Sequence, residues 1–256
     1  MTLEIYQYPY GPGANYGVLL HDPVAEETAS VDAGDATALL AALDKTGWPL
    51  TEIWITHHHH DHTDGLEEVK AKTGCTVRGP APESQPIVGL DLRHGDGDSF
   101  TFAGHPVQVL HTPGHTTDMI NFYLPSEGLV FTGDTLFVMG CGRLFEGDGP
   151  MMHDSLQKLA ALPAETVVYC SHEYTEANVE FALTVDPKNT ALLERAATIK
   201  ALRAEGRPTV PSTLKDELAT NPFMRANDPA IRALLGMEQA SDSEVFTEIR
   251  RRKDAA

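Results

Sequence analysis

EIWITHHHHDHTDG, residues 52–65, places four consecutive histidines, an aspartate and a fifth histidine directly behind a hydrophobic run. Five of the chain's 12 histidines fall between positions 57 and 62. A purification tag sits at a terminus, and this run is internal. A solvated loop explains the polarity but not the choice of imidazole. Imidazole nitrogen and carboxylate oxygen together form a donor set for zinc, iron or manganese. Alternate residues of an extended or turn segment point the same way, so His57 and His59 face one point, with Asp61 continuing the series. His62, next in sequence, turns toward a second point. Two such pairs on one segment suggest two metal ions close together, an arrangement that stabilises both the attacking and the leaving oxygen of a displacement.

One segment cannot complete two coordination spheres. Further donors occur where an apolar run meets a loop: His115 in VLHTPGHTTD, Asp134 in VFTGDTLF and His172 in VVYCSHEY. Such strand ends are where scaffolds carry functional groups. Singly, each reads more simply as a hydrogen-bonded structural residue. Beside a cluster short of ligands, they become candidates. His58, His60 and His111 read as packing groups, or as ring N–H donors that orient a neighbour. Cys141, between Gly140 and Gly142, reads as a tight-turn residue rather than a nucleophile.

The 256 residues suffice for one large domain or two smaller ones, and an apolar content of 41% supports a substantial core. No apolar run is long enough to span a bilayer, and MTLEIYQYPY lacks the basic and apolar regions of a secretory signal. Three cysteines, an odd number without close spacing, suit a reducing compartment, so a cytoplasmic protein is expected. A net charge of −18 argues against nucleic acid or an anionic membrane as partner. The deficit lies before residue 194, and the remainder is close to balance, which suits the anionic group of a small ligand.

Up to about residue 173 the chain alternates short β-rich runs, such as GVLLHD, EIWIT, HPVQVLHT, INFYLP, GLVFTGD and TVVYCSH, with helical segments DATALLAALDKTG and MMHDSLQKLAAL. This predicts a layered α/β domain. From Tyr174 the pattern turns helical. TEANVEFALTVD and NTALLERAATIKALRAEG read as helices, Asp228-Pro229 as a helix start, and Ser241 with Glu244 as a capping box. Two domains are therefore expected, 1–173 and 174–256.

THHHHDH matches the T-H-x-H-x-D-H signature of the metallo-β-lactamase superfamily, and PGHT, GD and the late histidine follow in that superfamily's order. GCGRLFEG, YCSHEYT, VPSTLKDELATNPFMR and the terminal IRRRKD resemble glyoxalase II, the hydroxyacylglutathione hydrolases, over nearly the whole chain. The resemblance implies an αββα sandwich with a helical appendage, and hydrolysis of S-D-lactoylglutathione to glutathione and D-lactate in methylglyoxal detoxification. It also implies two divalent metals, zinc first, with iron or manganese as alternatives. His57, His59 and His115 would hold one ion, and Asp61, His62 and His172 the other, with Asp134 bridging. Arg143, Tyr174, Arg250 and Lys253 would contact glutathione, and a monomer is expected. A thioester needs only a strong nucleophile, so a metal-bridged hydroxide oriented by Asp61 would attack its carbon, leaving no need for a serine or cysteine. The departures are Asp64 and Asp118 where the family often has glycine, Phe145 for a tyrosine, and Arg143 for the commoner lysine. Two other readings compete: a glutathione persulfide dioxygenase or lactonase of the same superfamily, and a metal-binding scaffold without activity.

Overall fold

The computed structural model describes residues 3–11, 14–81 and 84–256. Met1 and Thr2, the start of the segment read for a secretory signal, lie outside the described residues. The chain forms two compact units. One runs to His111 and takes in Thr117–Gly133; the other comprises Thr112–Thr116 and Asp134–Ala256.

The first unit holds β1 (Glu4–Tyr10), β2 (Asn15–Asp22), β3 (Glu27–Val31), α1 (Ala36–Thr46), β4 (Glu52–Trp54), α2 (His60–Thr63), α3 (Leu66–Thr73), β5 (Thr76–Pro80), β6 (Leu92–His94), β7 (Ser99–Phe102), β8 (His105–His111), β9 (Ile120–Leu124) and β10 (Leu129–Gly133). Strands β1 to β6 form a mixed sheet in chain order, antiparallel from β1 to β3 and parallel from β3 to β6. The parallel pairs require crossovers, and α1 supplies the one between β3 and β4. Its ends are capped: Asp35 accepts from the Ala38 N–H, and Gly47, at φ 73°, ends it in the left-handed conformation that glycine adopts without strain. Leu39 and Leu43 of α1 and Leu66 and Val69 of α3 bury against Leu19, Ile53 and Val77 of the sheet.

Strands β7 to β10 pair antiparallel in sequence order. The two sheets meet at Trp54, whose indole contacts the rings of Phe100, Phe102 and Phe122 at centroid distances of 5.3, 5.3 and 5.4 Å. Alternation explains the meeting. Ile53 faces the helices, so its neighbour Trp54 faces the other sheet.

The second unit adds β11 (Leu136–Phe137), β12 (Gly140–Cys141), α4 (Gly149–Ala160), β13 (Val167–Cys170), α5 (Thr175–Val185), α6 (Thr190–Ala204), β14 (Ser212–Thr213), α7 (Leu214–Thr220), α8 (Pro229–Leu235) and α9 (Asp242–Asp254). After Tyr174 the regular elements of the described residues are helices apart from the two-residue β14, as the sequence pattern predicts. Asp228 caps α8 with Pro229 at its first position, and the capping box of Ser241 and Glu244 opens α9. Among the unit's buried side chains, Phe181 stacks on Phe223, which meets Phe246 edge-on. Glu217, fully buried, accepts from the Met139 N–H, Arg195, Ser212 and Asn221, which ties the β11–β12 turn to α7. Charge-assisted bonds of this kind offset the cost of burying a carboxylate.

Candidate metal centre

The histidine cluster begins at the C-terminal end of β4 and departs from simple alternation. Residues 55–59 are irregular, and α2 begins at His60. His57 and His59 alternate as expected, but Asp61 and His62 ride on a helical turn. The Asp61 turn is held from two sides. Tyr10 Oη donates to the Asp61 carbonyl at 2.7 Å, and a Cβ on Gly34 would lie 1.7 Å from that oxygen. The backbone N–H of Ala33 bonds the His62 carbonyl at 2.9 Å. Within this unit the donor atoms of His57 and His59, of His57 and His62, and of Asp61 and His62 lie within 4.8 Å of one another. His57 and His62 are fully buried, whereas the Asp61 side chain is half-exposed.

Hydrogen bonds decide which ring nitrogen each histidine presents. Asp32, buried at the end of β3 with φ 60°, accepts from the Thr56 N–H (2.7 Å) and from the Thr56 hydroxyl (2.9 Å). With its proton given to Asp32, Thr56 Oγ1 must accept from His57 Nδ1, 3.0 Å away. The other Asp32 contact, Oδ2 to His62 Nδ1 at 2.7 Å, fixes a proton on that nitrogen too. Both rings therefore carry N–H at Nδ1 and a lone pair on Nε2, the form in which imidazole binds a metal. Sequence reading missed Asp32. The criterion that found His115, Asp134 and His172, a polar residue closing an apolar strand, would have found it in ASVDAG.

The second unit supplies a matching set. His115 Nδ1 donates to the Arg143 carbonyl at 2.7 Å, so it also keeps its lone pair on Nε2, which lies 3.4 Å from Asp134 Oδ2. His172 Nε2 is 3.1 Å from Asp134 Oδ1, so the carboxylate has one oxygen toward each imidazole. Gly142 is required here, because a Cβ would lie 2.0 Å from the Asp134 carbonyl and 3.0 Å from His115 Nδ1. Phe145 meets the His115 ring edge-on at 5.2 Å, and Tyr174 stacks on His172 at 4.7 Å with an interplanar angle of 6°. His105 is the contrast. It has Glu127 at Nδ1 and Asp22 at Nε2, so both nitrogens are committed to carboxylates.

Lone pairs on Nε2 beside buried carboxylates are the donor chemistry of a divalent metal site, and the residues fit such an ion. A cysteine nucleophile does not fit. Burial pushes the Cys141 thiol up to about 11 and Cys170 up to about 12, which leaves both protonated at neutral pH.

The four candidate substrate contacts lie in the second unit. Arg143 (59% exposed) and Tyr174 (43% exposed) are accessible. Arg250 is buried, donating to the Cys141 carbonyl at 3.1 Å and to Asp254 at 2.7 Å, and its guanidinium stacks over Phe223. Asp254 also approaches Arg143 at 3.4 Å. Lys253 donates to the Ala177 carbonyl, and burial followed by the nearby Arg250 charge lowers its pKa. The two remaining histidines of the cluster, and His111, have structural partners. His58 Nδ1 pairs with Asp118, exposed His60 with Asp64, and His111 Nε2 with the Thr117 carbonyl. Neither Asp64 nor Asp118 sits at positive φ, so neither position demands the glycine common in the family.

Residues 13–172 match the model of the metallo-beta-lactamase superfamily, and residues 173–256 that of the hydroxyacylglutathione hydrolase C-terminus. Over 240 residues, 94% of this chain, it is 56% identical to the hydroxyacylglutathione hydrolase of Brucella anthropi and 54% identical to that of Rhizobium meliloti, covering 92% and 94% of those proteins. The crystal structure of ETHE1 from Myxococcus xanthus is similar with a TM-score of 0.69 at 25% identity, covering 97% of this chain and 90% of that one. TTHA1623 in a di-iron-bound form is similar with a TM-score of 0.63 at 25% identity, covering 85% of this chain and 99% of that one. The mixed strands and helical C-terminal part are thus those of the metallo-β-lactamase fold with its hydrolase appendage, and the chain belongs to the hydroxyacylglutathione hydrolase family of that superfamily.

Proposed function

We propose that this protein hydrolyses S-D-lactoylglutathione, and related S-2-hydroxyacylglutathiones, to glutathione and the free hydroxy acid. The observation that carries this reading is the identity of 54–56% to hydroxyacylglutathione hydrolases across 94% of the chain. That span includes both the donor residues and most of the C-terminal helices. It favours the hydrolase over a persulfide dioxygenase, a lactonase or an inactive scaffold.

Two divalent ions, zinc in the first instance and iron or manganese otherwise, would be held by His57, His59 and His115 and by Asp61, His62 and His172, with Asp134 shared. The placement of Asp134 between His115 and His172 supports that sharing. Bound there, the ions supply Lewis acidity and a water whose pKa falls from about 16 to about 7. Asp61, its backbone pinned by Tyr10 and its carboxylate half-exposed, would orient that water by accepting a hydrogen bond from it. The thioester needs no strong general acid, because its thiolate leaves readily.

We assign residues 1–173 to the metal chemistry and 174–256 to glutathione recognition, in a monomeric cytoplasmic enzyme. Arg143 and Tyr174 offer an exposed charge and an aromatic face to the peptide. Arg250 and Lys253, three apart on α9, share a side of the helix and suit one carboxylate. Release of thiol from S-D-lactoylglutathione should be followed with metal-free protein and with protein reloaded with zinc or iron, alongside elemental analysis. Activity that appears only on reloading, with two ions per chain, supports the proposal. No thiol release at any loading, or oxygen consumption with glutathione persulfide in its place, refutes it.

A further inference from the structure

His58 stands between the two proposed ligands His57 and His59, and the mechanism leaves it without a task. It is nonetheless one of the most firmly held side chains of the cluster. Its imidazole is 6% exposed, and Nδ1 lies 3.0 and 3.1 Å from the two oxygens of Asp118, which is itself fully buried. Ser84 Oγ lies 3.1 Å from the same nitrogen. The His58 ring meets the His59 ring edge-on at 4.9 Å and the His57 ring at 6.3 Å. Two residues beyond Asp118, the Ile120 N–H bonds the Thr56 carbonyl at 2.9 Å, so the strand entering β9 grips the cluster at two points two residues apart. A buried carboxylate aimed at a ring that no chemistry uses is costly unless it stabilises something else.

We propose that Asp118 acts through His58 as a positioning residue for the His57–His59 segment, setting the direction from which those two imidazoles meet the first metal ion. The inference rests on the metal assignment above and deepens it. With its Nδ1 shared between both oxygens of Asp118, the His58 ring is restrained, and its edge contact limits the swing of His59. Asp118 also brings a second buried negative charge, after Asp32, close to residues proposed to hold dications. That partly offsets the positive charge left when two dications meet only two coordinating carboxylates.

The test is cobalt(II) binding to metal-free protein, read by its visible ligand-field bands and by stoichiometry, for the wild type, Asp118→Asn, His58→Ala and the double variant. His59→Ala identifies the step that belongs to the first ion. Asp118→Asn is expected to weaken that step about 10- to 100-fold and alter its bands, with the other step unchanged, the usual scale when a group behind a ligand is lost. It should lower kcat with KM within about twofold, and Asp118→Glu should restore part of the loss. In the His58→Ala background Asp118→Asn should add nothing further. Unchanged cobalt binding and bands in Asp118→Asn would overturn the inference while leaving the metal assignment intact. Equal weakening of both steps with a lower melting temperature of the metal-free protein would also overturn it, by reducing Asp118 to a general structural group. Failure of the wild type to take up cobalt would instead strike at the metal assignment itself.

Discussion

At the scale of single residues, the chemistry depends on where protons sit before any metal arrives. Asp32 commits two histidines at once, His62 directly and His57 through the Thr56 hydroxyl. Asp32→Ala should therefore weaken metal binding by about 10- to 100-fold. Competition with a chromogenic chelator measures this, and wild-type affinity in the variant would contradict it. Asp134→Ala should lose metal and thiol-releasing activity together, since it removes one oxygen from beside each of two imidazoles; full metal content by elemental analysis would overturn the shared-ligand assignment. Arg250→Ala should raise KM more than it lowers kcat in steady-state assays, because its proposed contact is remote from the reacting carbon. It should also lower the melting temperature, because the same guanidinium donates to the Cys141 carbonyl. The candidate donors stood out in the sequence because clustered imidazoles have few other uses. Asp32 met the same strand-end criterion as Asp134, but its task was not legible, because an aspartate before Ala-Gly is also an ordinary turn and its partners lie 24 and 30 positions away.

At the scale of elements, the sequence signals that held were local ones. Gly47, Asp228 with Pro229, and Ser241 with Glu244 act on residues within one turn, so the ends of α1, α8 and α9 could be read directly. The geometry of the histidine run could not. Alternation predicts an extended segment, but Thr63 Oγ1 bonds the His59 carbonyl and the Asp64 N–H bonds the His60 carbonyl, closing a helical turn that puts Asp61 and His62 on adjacent steps. That turn packs so closely on Gly34 that Gly34→Ala should displace it, costing about 1–3 kcal/mol and lowering metal content. Urea unfolding with elemental analysis tests both effects. The β2–β3 turn has its own pH signature. The Ala25 N–H, then His105 and the Val24 N–H, hold the Asp22 carboxyl down at about 2. Its stabilising contribution is complete above the ordinary carboxylate range and is lost as pH falls from about 4 toward 2. In Asp22→Asn the urea midpoint should fall less steeply over that interval than in the wild type.

At the scale of the whole molecule, the change from mixed strands and helices to mainly helical elements near Tyr174 was visible from periodicity alone, because period 2 and period 3.6 patterns are hard to confuse over long stretches. What periodicity cannot give is which sheet a buried strand faces. Trp54 lies in a three-residue strand, yet its indole joins the two sheets through three phenylalanines. Trp54→Ala should cost about 3–5 kcal/mol of folding free energy. Denaturant titration followed by circular dichroism provides the check, and a loss under 1 kcal/mol would mean the sheets meet elsewhere.

A single carboxylate governs the proton placement of His57 and His62, which belong to different proposed ions. Because Asp32 holds both rings in the metal-free chain, their alignment would be complete before either ion arrives, and each could load without waiting for the other. Loss of that one side chain would instead be felt at both ions together.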